Sequence, residues 1–105
     1  MAAPTSSCRV GDRITLTLEN VGRSQLDSVV VLTTGRSYPV GSLPAGASRR
    51  LLIGADGESH IEVEHGIQSR QRLVVGTYLE SGYGGRITVR LTADSVMAIS
   101  DSIRI

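Results

Sequence analysis

Asp12-Arg-Ile-Thr-Leu-Thr-Leu-Glu19 alternates apolar and polar residues without a break, with Ile14, Leu16 and Leu18 on one side and Arg13, Thr15 and Thr17 on the other. Successive side chains of a strand point to opposite faces, so this stretch predicts a strand with one face on a core and one in solvent. Arg86 to Thr92 repeats the pattern, with Ile87, Val89 and Leu91 turned inward. The apolar residues between them are mainly Val, Ile and Leu, which suit pleated, half-buried surfaces, and no helical period intervenes. The class is all-β.

Other segments follow from these two. Val29 to Leu32 runs without alternation, which predicts an inner strand buried on both faces. Pro39 has no backbone donor and predicts an edge strand. Leu43-Pro-Ala-Gly-Ala-Ser48 reads as a tight connection. Asp56-Gly57, between Arg50–Ile53 and Ser59–Glu64, predicts a hairpin, and a second turn is expected near His65-Gly66. Leu73–Leu79 and Arg86–Thr92 are expected to be neighbouring antiparallel strands joined by Glu80-Ser-Gly-Tyr-Gly-Gly85. Met97, Ile99, Ile103 and Ile105 share one side of the last segment, where Asp101 predicts a bulge or the end of the strand. Together these give an antiparallel β-sandwich of seven or eight short strands over residues 12–105, with a small β-barrel as the alternative, behind a flexible arm at residues 1–11.

Composition narrows the function. A chain of 105 residues holds one core. All eleven basic residues are arginine and stand against ten acidic ones, so the net charge of +1 implies no pull toward nucleic acid or an anionic membrane, and neither is expected as a partner. A single cysteine, Cys8, excludes an intramolecular disulfide and a thiolate metal cage. Residues 1–13 lack the charged and apolar regions of a signal peptide, and no stretch approaches the roughly 20 apolar residues of a membrane span. The chain is expected to be cytoplasmic if complete and of the envelope or periplasm if excised from a longer protein.

Glu19-Asn20-Val-Gly22, Val29-Val-Val31 and Val40-Gly-Ser-Leu-Pro-Ala-Gly-Ala-Ser48 resemble immunoglobulin-like bacterial domains of the CARDB and FxLYD kinds, which carry an Asn-x-Gly turn after the first strand and a Leu-x-Pro-Gly loop later. Here the loop runs Leu-Pro-Ala-Gly. Gly76 to Val89 is similar to a segment of small bacterial proteins, many of them envelope-associated. The resemblance implies an immunoglobulin-like fold and an interaction or spacer role, and it carries over no catalytic residue.

Two groups of residues are candidates for chemistry. In Ser59-His60-Ile-Glu62-Val-Glu64-His65, alternation puts His60, Glu62 and Glu64 on one face, where imidazole and carboxylates are the ligand types for a divalent ion. Ligands along one straight strand rarely close a shell unaided, and a solvated face explains the same pattern. His60, Glu62, Glu64 and His65 therefore make a metal-dependent binder or small enzyme the alternative reading, with both histidines expected to be exposed. No serine lies in a nucleophile elbow, and the strand face lacks the enclosure that catalysis by paired carboxylates needs. An enzyme is not expected, and no cofactor. The leading reading is a non-catalytic interaction or structural module that binds a protein partner or self-associates through sheet edges. A partner is expected at the Glu80–Gly85 connection with Tyr83 as anchor and Glu80 and Tyr78 beside it, because functional contacts in sandwiches gather on loops held by strands. The competing reading of Tyr83 is that it folds back and caps the core.

Overall fold

The computed structural model describes residues 13–104. Eight strands lie among them: β1 (Arg13–Asn20), β2 (Leu26–Thr33), β3 (Arg36–Leu43), β4 (Ser48–Ile53), β5 (Glu62–His65), β6 (Gln71–Val74), β7 (Gly84–Leu91) and β8 (Val96–Arg104). They form two four-stranded sheets, sheet A in the order β4-β1-β7-β8 and sheet B in the order β3-β2-β5-β6. The architecture is a sandwich, with two separate sheets and no closed barrel. The expected arm at residues 1–11 and Cys8 lie outside the described residues.

The alternation seen in the sequence is what builds the interior. Ile14, Leu16 and Leu18 of β1 and Ile87, Val89 and Leu91 of β7 are at most 1% exposed, and they meet Val29 and Val31 of β2 and Val63 of β5 in one cluster. Each such aliphatic side chain contributes about 1.5–3 kcal/mol when fully buried. Pro39 does lie on an edge strand, and the turn after His65 does join the antiparallel pair β5 and β6.

Five expectations are corrected. The sandwich is not wholly antiparallel, because β1 pairs in parallel with β7 over its full length, Arg13 with Gly84 through Asn20 with Leu91. Asp56-Gly57 is not a hairpin turn: β4 belongs to sheet A and β5 to sheet B, so the chain crosses between layers there. The chain crosses again after β6, from sheet B to sheet A, so β6 and β7 are not neighbours; Leu79 instead forms an isolated bridge with Ser59. Val29 to Leu32 is not buried on both faces, since Val29 and Val31 are buried while Val30 and Leu32 are half-covered on the outer side. Finally, β8 continues past Asp101 to Arg104, and its register irregularity falls opposite Arg90 and Leu91. Asp101 stands opposite Ile87 on the inner side but is exposed, because β8 is the edge of its sheet and leaves the carboxylate in water.

One end of the sandwich is closed by hydrogen bonds. Asn20 is 1% exposed and its amide nitrogen donates to the carbonyls of Ser24 and Leu43 at 2.8 and 2.9 Å, while its oxygen accepts from the Gly22 N–H at 3.0 Å. A buried amide is tolerated when its groups are paired, and here the pairing ties the β1–β2 connection to the end of β3. His65 does the same for the other strands. It is 5% exposed, and its ring Nε2 donates to the Ala93 carbonyl at 2.8 Å in the β7–β8 turn.

Candidate functional site

At the opposite end three connections meet: Thr34-Gly35 after β2, residues 54–61 between β4 and β5, and residues 75–83 between β6 and β7. Backbone and hydroxyl bonds lock them together. The Asp56 N–H donates to the Thr34 carbonyl at 3.0 Å, and the Thr34 N–H to the Ser59 hydroxyl at 2.8 Å. Ser59 and Leu79 exchange both of their backbone bonds at 2.9 and 2.8 Å. The Ser81 hydroxyl accepts from the Gly57 N–H at 2.9 Å and donates to the Ala55 carbonyl at 3.0 Å. Short polar residues in these turns thus replace the ladder that the sheets lack here, and they give a firm base for side chains at the surface.

Two shallow clefts adjoin on this base. One of about 310 Å³ is lined by Thr34, Glu58, Ser59, His60, Gly76 and Tyr78. The other, of about 210 Å³, shares Thr34, Ser59 and His60 and runs on to Leu32, Glu62 and Arg72. His60 stands where they join, and its ring Nε2 donates to Glu62 Oε2 at 2.7 Å. Tyr78 forms the far wall. Its ring, 51% exposed, meets the Tyr83 ring edge-on with centroids 6.2 Å apart, and its hydroxyl donates to Glu80 Oε2 at 2.5 Å. That bond, with the Glu80 and Glu58 charges nearby, pushes the Tyr78 hydroxyl up to about 12. The bond to a carboxylate favours the neutral phenol, so the ring is held in one orientation.

Parts of the two groups of candidate residues are therefore brought to one end of the molecule, while His65 lies toward the other. Tyr78 and Glu80 meet there, and the groove joins Tyr78 to His60 and Glu62. Tyr83 is half-buried and packs against the core, so its place is that of the cap, with Tyr78 the exposed ring. The histidine pair separates. His65 is not exposed: it shares the parity of Ile61 and Val63 and turns into the sandwich, while His60, Glu62 and Glu64 stand outside. The four do not converge, and among the described residues no three histidine, cysteine, aspartate or glutamate side chains are placed to hold a metal ion.

Glu62 and Glu64 are engaged elsewhere. Arg72, opposite Glu64 in the β5–β6 register, bonds Glu64 through Nε at 2.9 Å and through its terminal nitrogen, and it reaches Glu62 at 3.0 Å. The Arg72 hydrogen bond holds the Glu64 carboxyl below the usual carboxylate range. Ser59 has no bond to an imidazole, since its hydroxyl donates to the His60 backbone carbonyl at 2.9 Å. Thr34, Glu58 and Gly76 escape a reading of the sequence, because they become groove residues only when three distant turns come together.

No family model matches the chain, and no curated protein is similar to it. It is similar to a protein from Eubacterium rectale whose structure was solved by NMR, with a TM-score of 0.55 and 21% identity over 82% of this chain and 87% of that one. A likeness at that identity concerns the fold alone.

Proposed function

We propose that the chain is a non-catalytic, immunoglobulin-like interaction module that takes an extended segment of a protein partner in the groove between His60 and Tyr78. The observation that carries this reading is Tyr78: a half-exposed aromatic ring, fixed by Glu80 and Tyr83 on loops that are bonded to one another, beside an open groove. A ring held in its bound orientation loses little entropy on binding. Glu58 next to it has no ion-pair partner among the described residues, which suits a basic side chain laid on the ring. The immunoglobulin-like part rests on strand order: β1 to β6 follow strands B, C, C′, E, F and G of such sandwiches, with β7 and β8 beside β1 where strand A would lie. The turn residues shared with the CARDB and FxLYD kinds support the same assignment.

The test is selection of displayed random peptides on the wild-type domain. A convergent motif is expected, bound at least tenfold more weakly by Tyr78→Ala at unchanged melting temperature. Failure of the peptides to converge, or equal affinity for the variant, overturns the reading. Edge strands support a second one. β8 is a nine-residue edge without proline that exposes Met97 and Ile99, which suits pairing with a second copy. Sedimentation as a strict monomer at high concentration would exclude that mode.

A further inference from the structure

The outer face of sheet A gathers charge that the sequence scatters. Strand register places Arg13 on β1, Arg50 on β4, Arg86 and Arg90 on β7 and Arg104 on β8 on one surface, against a single carboxylate among the described residues, Glu19. Glu19 binds Arg90 at 2.8 Å. Arg13, Arg86 and Arg104 have no ion-pair partner among the described residues. The near-neutral total of the chain hides this, because the carboxylates that balance it lie mostly elsewhere: Glu62 and Glu64 on sheet B, Glu58 in the groove and Glu80 bonded to Tyr78 beside it.

Three of the arginines without an ion-pair partner among the described residues are grouped about Gly84. In register Gly84 lies between Arg13 and Arg104, whose Cα atoms are thus two strand spacings, about 10 Å, apart. Gly84 offers no side chain, and the Arg104 guanidinium lies over it, with Nη2 3.7 Å from where a Cβ would stand. Arg86 follows two residues along β7 on the same face. Beside this group β8 presents only Ala98, Ser100 and Ser102, so the surface drops into a trough of about 300 Å³ lined by Thr88, Arg90, Ala98, Ile99 and Ser100. Thr15 and Thr17 continue the hydroxyl surface on β1.

We infer that this face binds an acidic polysaccharide, whose sulfate or phosphate groups are held by Arg13, Arg86 and Arg104 while its chain runs along the trough. Guanidinium groups pair bidentately with such oxyanions, and the threonine and serine hydroxyls suit sugar hydroxyls. No aromatic ring lies on the face, so a single-stranded nucleic acid finds no stacking platform, and a neutral sugar finds no oxyanion pairing. The site is separate from the groove and does not depend on it.

Dextran sulfate is the probe, with uncharged dextran and oligo-dT as the other arms. Expected are saturable binding of dextran sulfate that weakens steeply with salt, weaker binding of oligo-dT at matched charge, and none of dextran. The double variant Arg86→Gln/Arg104→Gln should lose at least tenfold in affinity, and its log affinity against log salt should be shallower by about 2, one per contact removed. Arg23→Gln/Arg49→Gln carries the same charge change away from the face and should stay within twofold of wild type. Absence of binding at low salt, equal losses in the two double variants, or tighter binding of oligo-dT overturns the inference. Melting temperatures of both variants, expected unchanged, separate lost binding from lost folding.

Discussion

On the outer face of sheet B, Arg72 stands opposite Glu64 and reaches Glu62, and Arg70 approaches Glu64 at 3.6 Å. On the outer face of sheet A, Arg13, Arg86 and Arg104 surround Gly84 with no carboxylate of the described residues among them. Both faces are exposed and both cover the same core. Cross-strand ion pairs at an exposed surface contribute only about 0.2–1 kcal/mol, so pairing the charges on one face and leaving them open on the other changes folding stability little. What differs is what each face offers to other molecules. Sheet B pairs its charges within the chain, and sheet A leaves guanidinium groups without an ion-pair partner among the described residues.

The comparison concerns outer faces, so the largest expected effect tests the division between inner and outer. Leu16→Asp buries a charge without a partner and should abolish the cooperative unfolding transition, because a domain has only about 5–15 kcal/mol to lose. Thr15→Asp, one residue away and facing Arg86 in register, should keep stability within about 0.5 kcal/mol and weaken dextran sulfate binding. Native-like melting of Leu16→Asp would break the assignment of faces.

A smaller effect separates paired from open charges. The Glu64 carboxyl is lowered mainly by its bond to Arg72, so this pair stabilises the fold above the ordinary carboxylate range and the contribution is lost as pH falls through the lowered value. Arg72→Ala should therefore melt slightly below wild type at neutral pH, with the difference closing in acid. Arg104→Ala should match wild type at both. If thermal scans across pH show the same profile for the two variants, the faces do not differ as described.

The smallest effect belongs to Tyr78. A tyrosine raised to about 12 favours the fold below its unfolded value near 10, and that contribution disappears as pH rises through about 12. Because the ring is half exposed, the consequence for stability is slight, and the readout is ultraviolet titration. The Tyr78 phenol should ionise at about 12 in wild type and at a lower pH in Glu80→Gln. An unchanged curve would remove Glu80 as the group that holds the ring.

Alternation made β1 and β7 legible, since apolar residues at every second position leave one geometry for a half-buried strand. It says nothing about neighbours, and so the parallel pairing of β1 with β7 could not be read. Asp56-Gly57 was legible as a turn, but a turn residue fixes a local backbone shape and not which sheet the chain joins next. His65 was within reach of the same rule that placed His60, Glu62 and Glu64, because it sits two residues after Val63. Tyr78 and Tyr83 are alike in sequence, and only packing distinguishes the ring on the core from the ring in the groove. The arginine face was hidden most completely, being assembled from four strands between Arg13 and Arg104.

The parallel register of β1 and β7 also bears on how the chain reaches its fold. A hairpin can close as soon as its second strand exists, but Arg13 finds Gly84 and Asn20 finds Leu91 only after about seventy intervening residues. Until then β1 has β4 on one side and an open edge on the other, with its apolar face incompletely covered. Such long-range pairing is slow, in the millisecond-to-second range for sandwiches of this size. On a ribosome, β1 is made well before β7, and even after β4 has joined one side of it the nascent chain carries β1 with its other edge open until β7 emerges.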